Sequence, residues 1–524
     1  MGRPPARLAA EVFGINPLAR YAERLQLRHL PPLADGEVNA VQNPFLLLVV
    51  TPSFASLLQK SSTFLAEALQ QIYPTTEANL GQAQRCSVLA AVVDRLPPAV
   101  TRSEIYDTRL ENVGSKLDSG TEGVGVVLAE DADKAAPGLF QGLQLGAKAE
   151  RANSDERRCL SFDIGSEKGA NVVEIPLAET IFHNGQVSTM NASYWTRSAQ
   201  SESWAELGRR IPPSQHVHVE FDASNKGTSR QKPLEPVLGV PLLPLTRARP
   251  IYEGFGNIIR KINFDGTKLA GSPASQELEK ALAAHFADNG LEAQSASVWA
   301  LLFPGNKIRQ LSPDKSVFTG LGSEKAIAEP EDPRTRVQPG QKFWTDDLHA
   351  FLAGGATLHR VLSGGGGWGQ KQGLISLDPE SRYTTEDPSL SQDPSEGHGI
   401  NFTKELAVGQ LAEPGDWVQF LIPSYTAMPS KSLKEEGSTG TEDGQGAEKD
   451  TSLVFDVVPS TLDAMPAAPV DHNQRGRPCY VVLNQFGATS SRGLSYAISP
   501  EDSSKPYTTK IDVPYSKMLF NIKA

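Results

Sequence analysis

The stretch Asn43-Pro-Phe-Leu-Leu-Leu-Val-Val-Thr-Pro-Ser-Phe54 decides how the rest of the chain is read. From Phe45 to Val50 the run is apolar at every position, so neither alternating face is polar. A strand of that kind is buried on both sides, as in parallel or mixed sheets covered by helices. Asn43-Pro44 opens it and Thr51-Pro52-Ser53 closes it. Beyond that corner Leu58, Leu65, Leu69 and Ile72 recur at helical spacing, which predicts a helix over 54–73, ended by Pro74.

Outward from this unit, apolar runs over 87–94, 123–129, 172–175 and 216–222 predict further strands. Later runs over 241–247, 256–263, 298–303, 374–377, 416–422, 454–458, 480–483 and 511–520 read the same way. Ser272-Pro273 is a helix-start pair and Gly290 a stop, so a helix is predicted between them, with Leu278, Leu282 and Phe286 on its buried face. Leu348, Phe351, Leu352, Leu358 and Leu362 predict another over 345–362. The expected class is α/β in the mixed α+β sense: two sheet-containing parts with covering helices. The expected division is an extension over 1–42, one part over 43–240 and a second over 241–524. Within the second, 429–451 is almost wholly Lys, Glu, Gly, Ser and Thr, and reads as a disordered insertion.

The 524 residues carry a net charge of −11, which argues against broad nucleic-acid binding, since that needs surplus Lys and Arg to displace counterions. Three scattered cysteines, Cys86, Cys159 and Cys479, offer neither a disulfide framework nor a cysteine zinc site. No run of about 20 apolar residues occurs, so no membrane span is expected. The first 28 residues hold Arg3, Arg7, Arg20, Arg24 and Arg28, with Leu8, Val12, Ile15 and Leu18 loosely spaced like a helix face. A mitochondrial transit segment and an ordinary extension both stay open, so the expected location is cytoplasmic or the mitochondrial matrix.

Three local features bear on chemistry. In His216-Val-His-Val-Glu-Phe-Asp222, a strand places His216, His218, Glu220 and Asp222 on one face and Val217, Val219 and Phe221 on the other. Two imidazoles spaced so can share a divalent metal; a wet face of an amphipathic strand is the plainer reading. The loop Ser363 to Gly373 contains a GxGxxG pattern through Gly364, Gly366 and Gly369. With a helix entering and a strand leaving, its order is the reverse of a dinucleotide loop, though an anion nest over 364–373 stays open. Thr51 and Ser53 sit at the carboxyl end of the first strand, where ligands bind in α/β sheets; capping the following helix is the competing role. No nucleophile elbow, zinc helix, Walker sequence or kinase set is found, and no cofactor is expected.

Several patterned islands resemble the FIST family of sensory domains. They are 43–74, 123–129, Glu253-Gly-Phe-Gly-Asn-Ile-Ile-Arg260 with Asp265-Gly266, Glu277 to Leu282, Leu358 to Leu362, Gly373 to Pro379 and Pro414 to Phe420. The resemblance implies a sensory, signal-transduction domain that binds a small molecule, such as an amino acid, and passes its state to a protein partner. It carries no catalytic residues. With ligand sites favouring junctions between parts, the candidate lining residues are Thr51, Ser53, Glu253, Gly254, Gly256 and Asn257. Two alternatives compete: a metal-dependent hydrolase built on His216 and His218, and a structural or accessory subunit of a mitochondrial assembly.

Overall fold

The computed structural model describes residues 9–14, 43–59, 63–74, 83–97, 120–129, 131–139, 158–165, 171–198, 203–212, 214–219, 236–263, 271–290, 296–305, 345–364, 373–383, 411–423, 451–460, 480–483, 485–499 and 506–522. Over these residues the chain is mixed α+β and dominated by strands, with helices sparse. No helix among them is long and apolar enough to cross a membrane. The expected insertion lies outside them over 429–450, and so do the glycine loop over 365–372 and the pair Glu220 and Asp222.

Sheet I has seven strands, in the order 205–210, 190–197, 84–92, 45–50, 123–129, 9–14 and 480–483. The Phe45–Val50 strand lies parallel to Gln84–Val92 and antiparallel to Gly123–Ala129, and all six of its residues are buried. Leu46, Leu48 and Val50 pack under Phe64, Leu65, Leu69 and Ile72 of one helix and Phe54, Ala55 and Leu58 of a 3-10 turn. The expected single helix over 54–73 is therefore two elements, Pro52–Leu58 and Phe64–Ile72. The polar run from Gln59 to Thr63 explains the break, because Ser and Thr favour caps over helix interiors. Thr63 caps the second piece by position, and its hydroxyl donates to Glu67 Oε1 at 2.6 Å. Ala9–Gly14 is a strand inside sheet I, paired with 123–129 and 480–483, rather than part of a helix face.

The opposite face of the first strand, Phe45, Leu47 and Val49, opens into one large core shared by all four main sheets. Sheet II orders 214–219, 159–164, 171–176, 494–498 and 507–511; sheet III orders 237–239, 517–522, 451–457 and 485–490. Phe162 of sheet II packs on Phe455 and Phe486 of sheet III, with ring centroids 5.0 and 5.9 Å apart. Fully burying each such side chain stabilises by roughly 1.5–3 kcal/mol, so this junction is a main source of cohesion. Sheets I, II and III each join strands from before and after residue 240, so the expected boundary there is crossed repeatedly.

Sheet IV closes on itself. Pairings run from 417–423 to 249–255, 258–262, 375–377, 357–364 and 299–303, then back to 417–423. Along Trp299–Phe303 the faces alternate: Trp299, Leu301 and Phe303 join the shared core, while Ala300 and Leu302 join a second cluster with Ile251, Ile259, Phe420 and Leu278. Leu278 comes from the helix Ala274–Asp288, close to its expected bounds. The helix expected over 345–362 stops at Ala353, and 357–364 is a strand. Gly354 and Gly355 end it: their N–H groups close on Ala350 and Leu352, and Gly355 has φ +92°, a left-handed C-terminal turn that glycine allows. The glycine loop is thus entered from a strand.

Sheets I and III contain the same three-strand unit. Leu46-Leu-Leu-Val-Val50 aligns without a gap with Val454-Phe-Asp-Val-Val458. Each central strand has a parallel neighbour on one side and an antiparallel neighbour on the other. Leu48 pairs with Ala90 and Val126; Asp456, at the equivalent place, pairs with Thr489 and Lys517.

Candidate functional site

Among the described residues a cavity of about 480 Å³ opens beside the hairpin Arg249–Phe255 and Ile258–Ile262, lined by Glu253, Gly254, Phe255, Ile258, Arg260 and Leu374. Four local features build it. Gly256-Asn257 makes the two-residue turn, with φ +57° at Gly256 and a negative φ at Asn257, the pattern of a type II′ turn. Asn257 ties the tip down: its Nδ2 donates to Leu377 O at 2.6 Å, and the Leu377 N–H returns a bond to Asn257 O at 2.9 Å. Register shifts on both sides of Glu253 mark a bulge, which re-aims a side chain out of the regular alternation. Finally, a Cβ on Gly254 would lie 2.4 Å from Ala412 O, so only glycine lets the two backbones approach.

At the rim Glu253 accepts from Arg260 at 2.6 Å and from Lys261 at 3.2 Å. The Lys261 hydrogen bond, joined by the charges of Arg260 and Lys261, holds the Glu253 carboxyl below the usual carboxylate range. Arg260 is 60% exposed and Glu253 37%, so solvent screens the pair and it contributes little to stability. The rest of the lining is apolar. Phe255 is 82% exposed at the mouth, and Leu362 (58%) and Tyr252 (48%) are also exposed on this sheet. Large apolar side chains left in water beside a concave surface mark a place where something can dock.

The structure distributes the expected site residues over three places. Glu253 and Gly254 line the cavity; Gly256 and Asn257 shape it from behind. Thr51 and Ser53 do not line it. Thr51 is fully buried; its hydroxyl donates to Glu122 and accepts from the Gly123 N–H at 3.1 Å, and it makes no side-chain cap. Ser53 lies exposed in the 3-10 turn. Arg95, also ion-paired with Glu122, completes this corner, which joins residues distant in sequence and has no local sequence signal.

His216 and His218 sit on the outer face of the edge strand Ser214–Val219, while Val217 and Val219 are buried, matching the expected alternation. Both imidazoles turn Nδ1 to one carboxylate: His216 to Asp163 Oδ1 at 3.4 Å and His218 to Asp163 Oδ2 at 3.1 Å. The hydrogen bond to Asp163 raises the His216 pKa against the effect of burial. Among the described residues no group of three or more His, Cys, Asp or Glu side chains is arranged to hold a metal ion.

Sequence reading also missed a buried polar trio in sheet III. Asp456 Oδ2 lies 3.7 Å from Lys517 Nζ, and neither Asp456 Oδ1 nor the Thr489 hydroxyl has a hydrogen-bond partner among the described residues. Burial raises the Asp456 pKa, with Lys517 opposing. No family model, curated protein or solved structure matches the chain.

Proposed function

We propose that the chain is a non-enzymatic binding protein of the sensory, signal-transduction kind, which takes a small molecule at the hairpin cavity and presents the result to a protein partner. One observation carries the reading: Glu253 and Arg260 stand at the rim of a cavity of about 480 Å³ whose other side chains, Phe255, Ile258 and Leu374, are apolar. That size lies within the usual range for small-ligand sites, roughly 300–1,000 Å³. The polar groups are too few and too exposed for acid–base chemistry. Glu253, held ionised between two cations, is poorly placed to carry a proton to or from a substrate. The resemblance to FIST domains supports the same reading.

The test is a thermal-shift screen of small metabolites on the full chain, repeated on Leu374→Trp, which fills the cavity. A ligand at 100 times its dissociation constant stabilises by about 2.7 kcal/mol, which shifts the melting temperature measurably. A hit that disappears in the filled variant supports the reading. Hits that persist unchanged in it place binding elsewhere and remove the proposal.

A further inference from the structure

We infer that the ligand of this cavity is a monoanion with an apolar body, which binds by drawing Arg260 away from Glu253. The inference rests on the cavity being the binding site and adds the ligand's charge and shape. Two cations, Arg260 in the cavity lining and Lys261 beside it, share the single carboxylate of Glu253, at 2.6 and 3.2 Å. Among the described residues one positive charge is therefore left over. Arg249, the next cation along the hairpin, is already committed to Glu277 at 3.0 Å.

A ligand carboxylate can take the planar fork of Arg260 in a two-bond contact, the geometry that guanidinium and carboxylate share. Glu253 then keeps Lys261, and the rim becomes neutral: two cations against two anions. A zwitterion would leave the surplus charge in place, and an ammonium would add to it. The exchange is cheap because the Arg260–Glu253 pair is largely in water, where it is weak. The apolar body is called for by the remaining lining: covering the Phe255 ring, with Ile258 and Leu374, removes apolar surface from water.

Calorimetric titration of the full chain decides it, with phenylacetate, its neutral amide phenylacetamide, L-phenylalanine and inorganic phosphate as probes. Phenylacetate should bind at least tenfold more tightly than the other three. Arg260→Gln should lose at least tenfold in phenylacetate affinity. Glu253→Gln should gain several-fold, because the internal competitor for Arg260 is gone. A site in which Glu253 merely shapes the pocket, or receives a ligand ammonium, gives a loss there instead, and that outcome overturns the inference. Equal binding of the amide, abolished by Leu374→Trp, keeps the cavity as the site and removes the anion. Phosphate binding as tight as phenylacetate removes the apolar body. If no probe binds either the natural chain or Glu253→Gln, the inference falls together with the reading beneath it.

Discussion

Asp456 stands on its strand where Leu48 stands on the equivalent strand of sheet I, and both point away from the shared core. In sheet I that place is apolar under a helix; in sheet III it holds a buried ion pair with an unpartnered hydroxyl beside it. Sheet I forms the same three-strand unit with Leu48, Ala90 and Val126, all apolar, at the three places.

Copying the residues of sheet I into sheet III tests whether the unit needs the polar trio there. Asp456→Leu, Thr489→Ala and Lys517→Val together should leave stability unchanged or raise it by about 1–4 kcal/mol, as when buried ion pairs are replaced by packed apolar groups. Lys517→Ala alone should destabilise by about 3 kcal/mol, since it strands the Asp456 carboxylate. Urea unfolding of the two variants measures both; a large loss in the triple variant would mean the trio organises the sheet.

The two hairpin glycines should respond differently to alanine. Gly254→Ala drives a Cβ against the Ala412 carbonyl and should cost about 1–3 kcal/mol and close the cavity. Gly256→Ala meets no atom within 4 Å and bears only the left-handed backbone cost, about 1–2 kcal/mol. Ligand binding should survive the second change and not the first.

His359 gives the fold an acid sensitivity. Its Nδ1 lies 2.8 Å from the Asp378 carbonyl, which can only accept, so Nδ1 carries the proton and Nε2 accepts from Thr357 at 2.9 Å. Burial lowers its pKa, which keeps the ring neutral. The unfolded chain takes up a proton near pH 6.5 that the folded chain refuses. Stability from this group is complete above that pH and is lost as pH falls towards the folded value. Melting temperatures between pH 7 and 5 should fall less steeply in His359→Gln than in the natural chain.

Metal content separates the binding reading from a hydrolase. Zinc, iron and manganese should be negligible in the purified chain and equal in a variant carrying His216→Ala and His218→Ala. Stoichiometric metal in the natural chain, lost in the variant, would favour the hydrolase.

The parts legible in the sequence were those governed by neighbours a few residues apart. Phe45 to Val50 announced a strand covered on both faces because no position in it is polar. Val217 and Val219 against His216 and His218 announced an amphipathic strand. Leu358 and Leu362 misled because they continue the helical spacing of Leu348, Phe351 and Leu352; the two glycines between them outweigh that spacing, and Leu362 is 58% exposed. Glu253 and Gly254 line a cavity built wholly from residues after 240, not the expected junction between two parts, and the bulge that turns Glu253 towards Lys261 follows no periodicity. Nor could spacing pair Thr51 with Glu122, 71 residues later.

The order in which strands are joined has a consequence for synthesis. Asn171–Pro176 and Ala9–Gly14 each wait for a partner hundreds of residues later, Leu494–Ile498 and Tyr480–Leu483. A ribosome adding roughly 5–20 residues per second leaves such unpaired edges bare for on the order of tens of seconds. Until residues 480–522 have been made, sheets I, II and III each lack strands that earlier residues pair with.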